Sequence, residues 1–256
     1  MNRSEPPEAQ PSGNAGGIKK PAAKAKGAIR ELVVTLLWAG VIALGCRTFL
    51  FEPFNIPSGS MLPTLKIGDY LFVSKFSYGY GQYSFPFSPV SFSGRILSDQ
   101  PERGDVAVFR KPTDTSIDFI KRVVGLPGDR VQVIRGVLHI NGEAVDRQPL
   151  PDYMPERGEN FLNPVTRYTE VLPNGVSHEI LENRRDSGPL DNTSEFSVPP
   201  GHYFVMGDNR DHSTDSRVLS EVGFVPIENF IGRASIIFFS VGESGIRFGR
   251  LLNAVH

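Results

Sequence analysis

Asp118-Phe119-Ile120-Lys121-Arg122-Val123-Val124-Gly125-Leu126-Pro127-Gly128-Asp129 is the stretch on which the fold turns. Apolar and β-branched residues run up to a Gly-Leu-Pro-Gly-Asp punctuation, the pattern of a strand that ends in a turn. Side chains on a strand alternate between faces, so Phe119, Lys121 and Val123 share one face and Ile120, Arg122 and Val124 the other. A lysine among such neighbours is chemically conspicuous. A low-dielectric setting penalises its ammonium, favours the neutral amine and lowers its pKa. A neutral amine can take a proton from a hydroxyl at neutral pH.

The segments on either side read the same way. Arg103–Arg110 is a turn followed by a strand, and Lys66–Lys75 passes from a Gly-Asp turn into a strand. Val131–Leu150 resembles hairpins, with Asn141-Gly142 at a favoured turn position. Tyr203–Met206 is a short buried strand, and Arg233–Ser240 closes the core. With 26 glycines and 21 prolines among 256 residues, the chain predicts many turns and short strands rather than a helical bundle. Its formal net charge of −1 offers no reason to expect nucleic-acid binding. Cys46 is the only cysteine, which rules out an intrachain disulfide and a cysteine-based zinc site.

Before the first strand lie two segments of different character. Residues 1–28 are rich in Pro, Ala, Gly and Lys and are expected to form a disordered tail. Residues 29–51 contain an uncharged centre, Leu32 to Cys46, that rises about 22 Å as a helix. Arg47, able to snorkel, and Phe49 to Phe51 extend it towards the roughly 30 Å of a bilayer core. A retained spanning helix is expected, rather than a cleaved signal. Lys19, Lys20, Lys24, Lys26 and Arg30 precede it, which predicts a cytoplasmic amino terminus and everything after Phe51 on the far side.

Ile56-Pro-Ser-Gly-Ser-Met-Leu-Pro-Thr64 follows closely. Pro57 and Pro63 stiffen this stretch while Gly59 permits unusual turns, so it can fix one hydroxyl and nearby N–H groups in place. A serine nucleophile with an oxyanion hole needs that geometry. Ser60 lies nine residues past Phe51, hence within roughly 30 Å of the membrane exit even if extended. Tyr78–Gly94 is crowded with rings, and Tyr80, Tyr83, Phe85, Phe87 and Phe92 are candidates for a belt resting on lipid headgroups. Asp208, Arg210, Asp211, Asp215 and Arg217 alternate in charge along a loop suited to ion pairing. By residue type alone both Lys121 and His212 could serve Ser60 as base, the latter in a triad with Asp208. No G-x-S-x-G or S-x-x-K is present, and Glu182 stands where a zinc helix begun by His178-Glu179 would need its second histidine.

Ser58-Gly-Ser-Met-Leu-Pro-Thr, Lys121-Arg-Val-Val-Gly-Leu-Pro-Gly-Asp and Gly207-Asp-Asn-Arg-Asp-His-Ser-Thr-Asp-Ser-Arg217 together resemble the signature boxes of bacterial type I signal peptidases, in order and spacing. The resemblance implies a mostly β fold, with antiparallel sheets in a catalytic core and a smaller inserted domain. The expected division is catalytic core over 52–150 and 195–256, with an inserted subdomain over 151–194. It further implies a membrane endopeptidase with Ser60 as nucleophile and Lys121, not His212, as general base. Ser58 and the Ser60 N–H would form the oxyanion hole, and Ser213 would orient the lysine amine. Arg122 with Asp208, and Asp215 with Arg217, would be supporting ion pairs. Phe54, Ile56 and Ile120 would line pockets for small residues of an Ala-x-Ala type site. No metal or cofactor is implied. The implied partners are signal peptides of preproteins emerging from the export machinery, and the lipid of a bacterial inner membrane. Two alternatives fit the same residues: a catalytically inactive membrane-tethered β domain that binds peptides or scaffolds partners, and a related Ser/Lys self-cleaving protein.

Overall fold

The computed structural model describes Met1 and residues 22–85, 92, 94–156, 158, 159, 163–183 and 187–256. The first element is helix α1 (Ala22–Phe49). It begins earlier than the tail boundary at 28 predicted, because Ala22, Ala23, Ala25 and Ala28 are strong helix formers that continue the apolar segment backwards. Residues 2–21 of the expected tail lie outside the described residues. Ile29–Phe49, 21 residues of mean hydropathy 1.9, is the one helical segment among the described residues long and apolar enough to cross a membrane. Phe51, expected at the end of this helix, instead opens a strand.

The rest of the chain is built from strands, as expected. In order these are β1 (Phe51–Asn55), β2 (Asp69–Ser74), β3 (Val106–Lys111), β4 (Asp114–Gly125), β5 (Arg130–Ile134), β6 (Val137–Ile140), β7 (Glu143–Ala144) and β8 (Asp146–Tyr153). Then follow β9 (Val165–Val171), β10 (Ser177–Glu182), β11 (Phe196–Ser197), β12 (His202–Met206), β13 (Val225–Pro226), β14 (Phe230–Gly242) and β15 (Gly245–Ile246). The main sheet has the order β1-β2-β14-β3-β4-β12-β13, with β15 added on β14 and every pairing antiparallel. Two smaller sheets, β10-β9-β8 and β11-β5-β6-β7, are formed by the chain between β4 and β12.

The excursion from the main sheet is thus longer than 151–194. The hairpin strands after Gly125 pair with β11 and not with the core strands, so the sheet breaks at Gly125 and resumes at His202. Packing still ties the four-stranded sheet to the core, since Val131, Leu138 and Phe196 share a buried cluster with Val124, Phe204 and Met206. The Asn141-Gly142 turn holds, with φ of 56° and 88°, the left-handed pair of a two-residue hairpin.

The alternation predicted along β4 is observed. Ile120 packs against the cluster of Ile56, Met61, Leu71 and Val108. Phe119 and Val123 belong with the other cluster, that of Phe109, Tyr203 and Phe230. Lys121 therefore sits on a strand packed on both faces.

Candidate active site

Ser60 lies in a single 3-10 turn, Gly59–Met61, between β1 and β2. Met61, Leu62 and Leu65 behind it are buried and pin the loop from below. The loop is also tied to the segment after β12: Asn209 donates its backbone N–H to Ser60 O at 3.1 Å and its amide Nδ2 to Gly59 O at 2.9 Å. Lys121 reaches in from β4, and its Nζ lies 2.7 Å from Ser60 Oγ. The amine also donates to Ile120 O at 3.0 Å and stands 5.2 Å from the Phe119 ring centre. Lys121 is 4% exposed. Burial drives its pKa down to about 8, against the upward pull of Asp215 and Asp208. Ser58 Oγ is 3.5 Å from Ser60 Oγ, on the exposed side.

Two buried ion pairs support this centre, and both are the pairs expected. Arg122, the neighbour of Lys121, grips Asp208 through Nε–Oδ1 at 2.8 Å and Nη2–Oδ2 at 2.7 Å. Thr64 Oγ1, from the serine loop, donates to the same carboxylate at 2.5 Å. Arg217 holds Asp215 through two contacts of 2.9 Å, and Asp215 Oδ2 accepts the Gly207 N–H at 3.0 Å. Burial opposes charge on both carboxylates, but the guanidiniums outweigh it and hold each pKa below the ordinary value. Gly207 itself is obligatory. A Cβ there would sit 2.2 Å from Ser213 Oγ and 2.5 Å from Ser60 O.

Ser213 departs from expectation. It is buried beside Gly207 and close enough to the Asp215 carboxylate to help hold that group's pKa down, while among the described residues no hydrogen bond joins its Oγ to Lys121. The lysine amine is engaged by Ser60 Oγ and Ile120 O instead.

Phe54, Ile56 and Ile120 line a cleft of about 540 Å³ that also takes in Ser58, Ser60 and Lys121. Val108, Ile117, Phe119 and Thr214 complete its walls, and sequence reading had singled out none of the four for this place. A second cleft of about 320 Å³, reaching Leu62, Ile67 and Asn209, shares Pro57, Ser58, Ser60 and His212 with the first. Ser60 therefore stands where two clefts meet. His212 is exposed on that rim, while the amine beside the hydroxyl is that of Lys121. His178 does not open a zinc helix. It lies buried on β10, 3.4 Å from Glu170 Oε1 and 3.9 Å from Asp208 Oδ1. Arg210, expected in an ion-paired loop, meets Glu170 and His178 in a buried polar layer whose other two members the sequence does not single out for this place. No pattern in the chain links positions 170, 178 and 210.

Comparison with known proteins points one way. The family described as signal peptidase, peptidase S26, matches residues 29–239. Signal peptidase I of Rickettsia typhi is 46% identical over 211 residues, covering 78% of this chain and 76% of that protein. Signal peptidase I of Rickettsia prowazekii is 45% identical over 206 residues, covering 78% and 76%. A crystal structure of a signal peptidase I from Enterococcus faecalis is 29% identical, covering 53% of this chain and 97% of that one, with a TM-score of 0.31.

Proposed function

The chain belongs to the signal peptidase family S26, and on that premise we propose that Ser60 and Lys121 carry out its cleavage of signal peptides. It is a membrane-anchored serine endopeptidase that removes such peptides from preproteins. The observation that carries the residue assignment is the 2.7 Å approach of a buried lysine amine to Ser60 Oγ at the meeting point of two clefts.

The chemistry follows from that approach. With a pKa of about 8, roughly one Lys121 in ten is neutral at pH 7, against about one in three thousand for a solvated lysine. The neutral Nζ takes the Ser60 proton as Oγ attacks the scissile carbonyl. The oxyanion is met by the Ser60 N–H and the Ser58 hydroxyl, and one such donor contributes about a hundredfold or more in rate. The ammonium then returns its proton to the departing amine, leaving an acyl-enzyme. Lys121 next deprotonates a water molecule, which releases the signal peptide. The role implied for Ser213, orienting the lysine amine, is supported by its burial next to Gly207 on the loop that faces Ser60. The apolar wall of Phe54, Ile56 and Ile120 suits the small side chains of an Ala-x-Ala site.

The basic residues on the amino side of the uncharged stretch Leu32 to Cys46 support a cytoplasmic amino terminus in a bacterial inner membrane, with the catalytic domain on the outer side. Lipid contact is supported by exposed rings on β1 and β2 and just beyond. The Phe51 ring lies 6.1 Å from that of Phe72 and 5.6 Å from that of Phe76, and Phe72 stacks on Phe238 at 4.4 Å. Phe87 of the expected aromatic belt lies outside the described residues. The deciding assay is cleavage of a purified preprotein in detergent. Ser60→Ala and Lys121→Met should lose activity while His212→Ala keeps it. Wild-type rates from Lys121→Met would overturn the dyad. Protease added outside spheroplasts should digest the large domain, and protection there would reverse the orientation.

A further inference from the structure

The mechanism above makes no use of the sheet β8–β10, yet that sheet grips both loops on which the proposed dyad depends. On the serine side Leu62, two residues past Ser60, is buried in one cluster with Tyr153, Val165 and Leu181. Lys66, further along the same loop, pairs with Glu156 just beyond β8. On the other side Leu181 donates its N–H to Asp208 O at 2.9 Å, forming a parallel bridge to Asn209. Asn183 N–H donates to Asp211 Oδ2 at 2.7 Å.

Beneath these contacts runs a chain of charge. Glu170 of β9 holds Arg210 through two contacts of 2.9 and 2.5 Å, with both residues sealed from water. Burial works against the Glu170 carboxylate, but Arg210 and His178 outweigh it and keep its pKa well below the ordinary value. Arg210 O accepts a hydrogen bond from Arg217 Nη2 at 2.6 Å. Arg217 in turn holds Asp215, and Asp215 holds the Gly207 N–H. A continuous set of hydrogen bonds thus joins the inserted sheet to the turn that carries Asp208. Such a buried pair contributes little net stability compared with apolar residues of the same size, and its best-supported value is in specifying one arrangement.

Resting on the Ser60/Lys121 assignment, we infer that β9 and β10 act as a clamp, in which Glu170 and Leu181 are positioning residues that fix the Ser60 loop against the 207–217 loop. The clamp does two things. It keeps Ser60 Oγ within reach of Lys121, and it keeps water away from the amine. The charged groups that act on that amine are Asp215, Asp208 and Arg217, with Arg122 paired to Asp208 and His178 3.9 Å from the same carboxylate. Loosening the clamp admits water, which relieves the burial of Lys121 and returns its pKa towards that of a solvated lysine.

The test uses full-length protein in detergent, with kcat and KM measured against pH on a peptide spanning a signal-peptide cleavage site. The variants are Glu170→Gln, Leu181→Ala, Lys121→Met and Arg167→Gln, the last altering a partly exposed pair on the same sheet. Thermal melting establishes which are folded at the assay temperature. Glu170→Gln and Leu181→Ala should lose about tenfold or more in kcat with KM little changed, as displaced catalytic groups do. Their acid limb should move to higher pH, which a role in stability alone would not produce. Arg167→Gln should match wild type. Folded Glu170→Gln with wild-type kcat and an unmoved acid limb overturns the clamp. If that variant fails to fold, the same result from Leu181→Ala overturns it. A loss carried by KM alone also overturns it, because the sheet would then be binding substrate. Activity in Lys121→Met defeats the dyad itself and is read separately.

Discussion

Replacing Asp208 by asparagine keeps the shape of the side chain and removes its charge, leaving Arg122 without a counter-ion. Arg122 is 0% exposed and Asp208 1%, so no water takes over the lost interaction. Breaking one partner of such a pair costs about 3–5 kcal/mol. In a domain of this size each kcal/mol moves the melting point by about 2–4 °C, so a fall on the order of 10 °C is expected. The pH dependence has a definite sign. The folded pKa of Asp208 is held below its ordinary 3.8, so the stability that the pair contributes is fully present above that value. It is lost as pH falls through the lower folded value, and the difference between wild type and variant should vanish there. Catalysis supplies a second readout. Asp208 is one of two anions that raise the Lys121 pKa against burial, so its removal should move the acid limb of kcat/KM to lower pH. That is the reverse of the shift expected when the clamp is loosened. Calorimetry and a pH–rate profile on the same preparation provide both measurements. An unchanged melting point, or an acid limb moved to higher pH, would refute the reasoning.

For the wild-type enzyme, kcat/KM should rise with pH to a midpoint of about 8, the value to which burial takes Lys121; a midpoint near that of a solvated lysine would mean that the amine is wet. Gly207→Ala must push Ser213 and the Ser60 carbonyl aside, so it should cost about 1–3 kcal/mol in melting experiments and lower kcat; wild-type behaviour would mean that the turn has more room than its geometry allows. Phe72→Ser with Phe76→Ser removes exposed rings that line neither cleft at Ser60, so cleavage in detergent should be unchanged while stimulation by anionic phospholipid vesicles falls. Equal stimulation of variant and wild type would exclude these rings from the lipid contact.

Much of the site could be read before its geometry was known. Lys121 stood out because strand alternation places it among valines, and the observed strand keeps that alternation. The supporting pairs Arg122–Asp208 and Asp215–Arg217 formed as expected. Ser213 did not meet the lysine, since which hydroxyl faces an amine depends on loop torsions that spacing does not encode. The apolar span starts at Ile29 as expected, and the helix continues back to Ala22 because alanine-rich, lysine-bearing sequence reads as tail by composition and as helix by propensity. Where the chain leaves the main sheet is not legible in the sequence, because hairpins inside and outside that sheet have the same alternation, and only pairing partners tell them apart.

By itself, the sequence determined what depends on near neighbours: the apolar span, the strand at 118–125, the turns, and the chemical identity of each reacting group. Those follow from periodicity, backbone preference and charge, which act over a few residues. Tertiary structure alone decided that the Ser60 hydroxyl and the Lys121 amine, 61 positions apart, lie 2.7 Å from one another. It also decided that the amine is dry enough to be a base, because desolvation is the work of side chains brought together from distant parts of the chain.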